Sequence, residues 1–257
     1  MDPGYYVAAG SLKARSFQLD VVSNNLANAA TVSYKPDQPF FAVFNKAAGS
    51  GRRLPLSGYL NDGVVFAETG VVQEQGALKA TGRPLDVAIE GNAFLKVKTA
   101  AGDTRVTRDG RLQMGANGQL ESMDGGVILG KNGQPILLDP KGGAVSITVD
   151  GTVQQKPVAD GTIQTDVMRG QLGLVAYEKP GTLQRSGALR YDPAGAKEAP
   201  VKATVTQGHV EMSAVDSAST MVEMIRLNRL FEMSLKVAST LSNDMDSRSI
   251  NDVAISR

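Results

Sequence analysis

Few residues in this chain are equipped to do chemistry on a substrate. Cysteine is absent, which removes disulfides, thiolate metal sites and thiol nucleophiles. His209 is the only histidine, so neither an ordinary zinc site nor a triad using more than one imidazole can be built. Asp103, Asp109 and Glu121 have the groups for an acid–base pair, but β-rich domains commonly carry such carboxylates and no spacing makes these converge. The cluster Thr81-Gly82-Arg83-Pro84-Leu85-Asp86 is compact and polar, yet it lacks the spacing of a phosphate loop or a nucleophile elbow. Asp-Gly pairs recur and invite calcium, but their irregular intervals fit neither an EF-hand nor a nonapeptide repeat. His209, where strands give way to the last helix, reads as a structural or surface residue, and Arg52-Arg53 as surface charge. The chemistry left to the chain is association.

The elements that offer association lie at the two ends. Tyr5, Leu12, Leu19 and Leu26 recur every seven residues, with Ala8, Val22 and Ala29 interleaved and Arg15 interrupting. This heptad-like seam predicts a helix over residues 5–29, about 37 Å long. It breaks at Ser23-Asn24-Asn25-Leu26-Ala27-Asn28-Ala29-Ala30-Thr31, where asparagine amides compete for backbone groups and Pro36 follows. Those amides either cap a fraying end or fix geometry between helices or subunits.

A second helix is expected over residues 215–248, capped by Asp216 or Ser217, with Thr220 and Glu223 at capping-box spacing. Val215, Ala218, Val222 and Ile225 form a first stripe. Leu227, Phe231, Ala238, Leu241 and Met245 are expected to continue it after a small offset, and Leu230 and Val237 widen it. A face of that width suits more than one partner helix. Met221, Met224, Met233 and Met245 read as filler of a core that can lie between subunits. Arg226, Arg229, Glu232 and Lys236 form the solvated face, the last two at i,i+4 spacing.

Between the helices the punctuation is that of hairpins. Asn61-Asp62-Gly63, Asp109-Gly110, Asn117-Gly118, Asp124-Gly125-Gly126, Asn132-Gly133, Asp150-Gly151 and Asp160-Gly161 are turn signals. The runs 87–89, 94–97, 105–107, 145–149 and 172–177 read as strands of an antiparallel sandwich or barrel-like sheet. Residues 46–63 read as an exposed, flexible loop. The expected class is therefore α+β, with terminal helices packed as a coiled-coil, tube-forming domain and an all-β middle.

Bulk composition agrees with an assembling protein. The 257 residues are 42% hydrophobic and 21% charged, enough to bury a core. A net charge of +1 argues against nucleic acid or an anionic membrane as partner and does little to keep copies apart. No window reaches the apolar length of a membrane span, and the start lacks the pattern of a secretory signal.

With ends and middle in hand, Leu19-Asp20-Val21-Val22-Ser23-Asn24-Asn25-Leu26-Ala27-Asn28-Ala29 resembles the signature segment of the bacterial flagellar rod and hook proteins. Residues 207–213, 221–225 and 229–232 resemble that family's C-terminal block. Pro84-Leu85-Asp86-Val87-Ala88-Ile89-Glu90-Gly91 and Thr107-Arg108-Asp109-Gly110 match its middle. The chain departs at Val32-Ser33, where the family usually has glycine before the aromatic Tyr34, and at Leu227-Asn228, where an Ala-Gln-type pair is usual.

The resemblance implies an axial structural subunit without enzymatic activity, metal or cofactor, whose helices form a tube that transmits torque and encloses the export channel. It implies a division into residues 1–32 with 211–257 as helical axial core, 33–84 with 181–210 as small β connection, and 85–180 as outer β domain. Leu12, Leu19, Val22, Asn24, Asn25, Leu26, Asn28, Val222, Ile225, Leu227, Phe231, Ala238, Leu241 and Met245 would carry the assembly interface. Copies of the chain, other rod proteins, the export apparatus and surrounding ring components would be its partners. Its place would be the periplasmic rod of the basal body, reached by type III export without a cleaved signal. Arg83 to Ala88, Phe231-Glu232-Met233 and Lys236-Val237 lean toward the proximal-rod members, with distal-rod members second. Another class, a secreted β-sandwich module binding a ligand such as glycan, needs ordered helices in an intramolecular hairpin; 5% aromatics without tryptophan supply it poorly. A hydrolase would need two converging carboxylates.

Overall fold

The computed structural model describes residues 3–43, 64–72, 74–157, 166–187, 189–193 and 195–255. The expected loop 46–63, with its Asn61-Asp62-Gly63 turn, and the Asp160-Gly161 turn lie outside the described residues. The chain is α+β, with a helix at each end and a mostly β middle. It divides into two compact units: Met1–Ala27, Asp37–Thr69 and Ser217–Arg257 form one, Asn28–Pro36 and Gly70–Asp216 the other.

In the first unit, helix α1 spans Pro3–Ala27 and helix α2 spans Ser217–Ile255, and the two pack against each other. Pro3 suits a first helical position, where no N–H is needed. Asp216, immediately before the first helical residue, occupies the N-cap position. Strand Asp37–Val43 packs on α1 and pairs with Val64–Val71. Along α1, Val21 and Val22 are buried and Leu12, Leu19 and Leu26 half-buried, while Ala9, Lys13, Ser16, Asp20, Asn24 and Ala27 form an exposed row. Alternating steps of three and four residues on both rows are what a helix with one covered face requires.

The expected single stripe of α2 is instead two. Leu227 is buried at 8% exposure, whereas Val222 and Ile225 are 67% and 56% exposed. Five residues along a helix turn the side chain by about 140°, so the offset between the stripes is a change of face. The covered row is Thr220, Met224, Leu227, Phe231, Ser234 and Ala238, with Leu230 beside it.

In the second unit, Ala93–Lys98 is the central strand of the nine-stranded sheet. It pairs antiparallel with Thr104–Thr107 on one side, and with Leu174–Tyr177 and then Val127–Ile128 on the other. Its alternation fills two cores: Ala93, Leu95 and Val97 join Val87, Ile89, Leu112, Leu120, Ile128 and Val205, while Phe94 faces Val106, Val175, Tyr177 and Tyr191. Val145–Ile147, Thr152–Gln155 and Val167–Gln171 make a three-stranded sheet. Val87–Gly91 pairs with Ala203–Gln207, and Leu78–Ala80 with His209–Glu211.

Gly118, Gly125, Gly133 and Gly151 take positive φ in the turns their Asn-Gly and Asp-Gly pairs announced. Asp109-Gly110 differs. Gly110 has no positive φ; a Cβ there would sit 1.7 Å from the Val87 carbonyl oxygen, and Val87 N–H donates to Gly110 O at 2.9 Å. Glycine is required by close backbone approach, not by a hairpin. The run 172–177 is likewise divided: Leu172 bridges Gly130, and Gly173 passes where a Cβ would meet Leu129 O at 2.6 Å. The run 145–149 ends at Ile147 because Thr148 opens the turn closed by Gly151 N–H to Thr148 O, 2.9 Å.

Gly110→Ala is expected to destabilise the β unit by more than about 3 kcal/mol, since backbone rather than a flexible side chain must move. Urea unfolding followed by tyrosine fluorescence checks this.

Candidate assembly interface

The helical face not used inside the chain is made mainly by α2. Met221, Val222, Ile225, Met233, Leu235 and Val237 are all exposed, among Arg226, Arg229, Glu232 and Lys236. α2 has 39 residues and α1 has 25, lengths of about 58 and 37 Å, so α1 is too short to cover it end to end. Of the expected interface residues, Val22, Asn25 and Leu227 are buried within the chain. Leu12, Leu19, Leu26, Asn28, Phe231 and Ala238 are half-buried, and Asn24, Val222 and Ile225 are exposed. The side chains of Leu241 and Met245 lie outside the described residues.

The asparagines at the end of α1 divide their work. Asn25 donates from Nδ2 to Asp37 O at 2.8 Å and accepts the Asp37 N–H at 2.9 Å, clamping the helix to the strand that follows. Asn28 accepts the Thr31 hydroxyl at 3.2 Å and, through its carbonyl, the Thr31 N–H at 3.0 Å.

Beyond α1, Ser33 is buried with φ 59, a left-handed conformation that glycine adopts freely and serine does not. This is the departure at Val32-Ser33 seen as backbone geometry. Ser33 N–H donates to Glu211 O at 2.7 Å.

Glu211 then anchors a buried charge cluster. Its Oε1 lies 2.6 Å from Lys35 Nζ, both side chains 1% exposed, and accepts the Gly76 N–H at 2.9 Å. Its Oε2 lies 3.6 Å from Arg108 Nε. Lys35 also donates to Glu74 O. Arg108 donates to Ala93 O at 2.6 Å and Gly91 O at 2.7 Å, with its guanidinium 5.6 Å over the Phe94 ring. Burial pushes the Lys35 ammonium below its ordinary value, with Glu211 pulling it back up, and burial lowers Arg108 in the same way.

The candidate catalytic groups are distributed and engaged. Asp103 pairs with Arg105 at 3.4 Å, and Asp109 holds Arg111 at 2.9 and 2.7 Å. Thr81 to Asp86 form a turn fastened by the Gly208 N–H to Asp86 O bond, 2.7 Å. His209, the first residue of its strand, has Nδ1 2.9 Å from the Gln207 carbonyl oxygen at the end of the preceding strand. Among the described residues no three His, Cys, Asp or Glu converge to hold a metal ion, and no helix is long and apolar enough to cross a membrane. Lys35 and the charge pairing of Glu211 and Arg108 escaped the sequence reading. The available signal was a glutamate inside a short strand that otherwise buries apolar groups.

A long helix with an exposed apolar face and no convergent catalytic or metal-binding group among the described residues are features of a structural protein, and similarity to known proteins says of what kind. Residues 6–35 match the family described as flagella basal body rod protein, 88–155 the flagellar hook protein FlgE/F/G D1 domain, and 206–252 the flagellar basal body rod FlgEFG protein C-terminal. The flagellar basal-body rod protein FlgF of Mesorhizobium japonicum is 32% identical over 238 residues, covering 90% of each chain. FlgF of Escherichia coli K12 is 30% identical, covering 95% of this chain and 96% of its own. FlgG of Buchnera aphidicola from Acyrthosiphon pisum is also 30% identical, with 93% and 96% covered. The chain belongs to the flagellar basal-body rod protein family, as a structural subunit of the bacterial basal body.

Two substitutions probe the local geometry. Asn25→Ala leaves the Asp37 N–H and C=O short of partners and is expected to cost about 1–3 kcal/mol in denaturant unfolding. Ser33→Val, placing a β-branched residue at positive φ, is expected to cost about 2 kcal/mol more than Ser33→Gly by the same measurement.

Proposed function

We propose that the chain is a proximal-rod subunit that assembles through its terminal helices into a helical tube. In this reading α1 and α2 pair as a coiled coil, and copies meet through the remaining face of α2 and the exposed row of α1. The tube wall transmits torque and encloses the export channel. Its partners are copies of itself, other rod proteins, the export apparatus and the surrounding ring components, and the chain arrives by type III export. The division into axial core, β connection and outer, sandwich-like β domain inferred from the resemblance belongs to the same proposal. The FlgF relatives favour the proximal position; the comparable FlgG identity makes a distal position the second reading.

The observation that carries the proposal is the exposure of Val222 and Ile225, with Met221, Met233 and Val237, on a long helix whose other face is already used. Each such side chain fully buried between copies contributes about 1.5–3 kcal/mol. A secreted module with an intramolecular hairpin gives this second face no purpose, and nothing in the fold assigns the carboxylates a shared cleft.

Ile225→Asp is expected to leave the monomer's thermal unfolding within about 0.5 kcal/mol of the parent, because the side chain is 56% exposed. Polymerisation followed by light scattering and sedimentation is expected to be lost. A variant that polymerises like the parent would refute the interface.

A further inference from the structure

The peptide chain passes between the two units four times, after Ala27, Pro36, Thr69 and Asp216. On the β-unit side three segments flank these crossings, residues 28–36 flanking two of them, and each holds a member of the Lys35–Glu211 pair or a residue bonded to it. Residues 28–36 supply Lys35 itself and the Ser33 N–H to Glu211 O bond, 2.7 Å. The segment after Thr69 supplies the Val72 N–H to Pro36 O bond, 3.0 Å, and the Glu74 carbonyl that receives Lys35 Nζ. The segment before Ser217 supplies Glu211 and the Ala214 N–H to Tyr34 O bond, 3.1 Å.

The cluster is rooted in the sheet from two sides. Arg108 grips the carbonyls of Gly91 and Ala93 while facing Glu211. Arg185 donates to Lys35 O at 2.6 Å and lies 4.6 Å over the Tyr34 ring and 5.3 Å over the Tyr191 ring. Lys35 and Arg108 therefore flank one carboxylate, and Arg185 fastens the Lys35 backbone beside it. The two oxygens of Glu211 serve different segments. Such a cluster is a poor device for stability alone, because well-packed apolar residues would serve at least as well. Its directional bonds suit it to fix geometry.

We propose that Glu211 is a positioning residue for assembly: with Lys35 and Arg108 it binds the three segments leading to the helical unit into one rigid bundle. This rests on the self-assembly reading above. A loosened bundle would have to be ordered each time a copy joins the polymer, and ordering even one residue's backbone is worth about a tenfold change in an association constant.

The test compares full-length Glu211→Gln with Val153→Ala, a core truncation in the three-stranded sheet that lowers stability without touching the bundle. Both are assayed at a temperature where circular dichroism shows them folded. Glu211→Gln is expected to speed amide exchange in residues 28–36, 72–76 and 211–216 and to raise the critical concentration for polymerisation about tenfold. Val153→Ala is expected to do neither. Unchanged exchange in those segments, or equal critical concentrations for the two variants, would overturn the proposal. If Glu211→Gln does not fold, Lys35→Met leaves Arg108 and Glu211 as a balanced pair and carries the same readouts. Failure of the parent to polymerise would refute the self-assembly reading instead, while the exchange comparison still decides the role of Glu211.

Discussion

Glu211 is withdrawn from solvent, so Lys35 and Arg108 must stand where they do for its charge to be tolerated there. That requirement reaches far along the chain, because Lys35 and Glu211 are 176 residues apart. Lys35 comes just after the first helix and Glu211 just before the second, while Arg108 belongs to the sheet. Three remote segments thus meet at one buried point. The left-handed turn at Ser33 serves it, since it aims the Ser33 N–H at the Glu211 carbonyl. The glycine at 76 serves it too, since a Cβ would lie 2.0 Å from Met212 O and push away the segment whose Gly76 N–H binds the carboxylate.

The second constraint is division of labour between the faces of α2. Leu227 and its row complete the pairing with α1, and Val222 and Ile225 are left outward. The second row stays outward, and it is the face that the assembly proposed above would use.

The sequence made some of this legible. Stripes at both ends announced the helices, with α1 displaced from its expected bounds by two residues at each end. Asn117-Gly118, Asp124-Gly125, Asn132-Gly133 and Asp150-Gly151 announced their turns, because positive φ is a local demand with a local signature. Non-local demands left no such trace. Gly110 looks like a turn glycine in one dimension and is a close-approach glycine in three. Apolar residues on opposite faces of α2 blend into one broad stripe when read by eye. A lysine and a glutamate in different segments give no sign that they share a bond, so the cluster became visible only with the fold. Among the asparagines, Asn25 ties the helix to the strand that follows it, which is neither a cap nor a contact between helices, and Asn28 makes the closing turn.

The thioethers on the outward row have a consequence of their own. Met221 and Met233 are 52% and 63% exposed. Oxidation to the sulfoxide turns such a side chain polar. On the assembly proposed above, a free subunit damaged in this way would carry a wetted contact face. Incorporation would cover the sulfur and end the exposure, so the time a copy spends unassembled would set its oxidative risk.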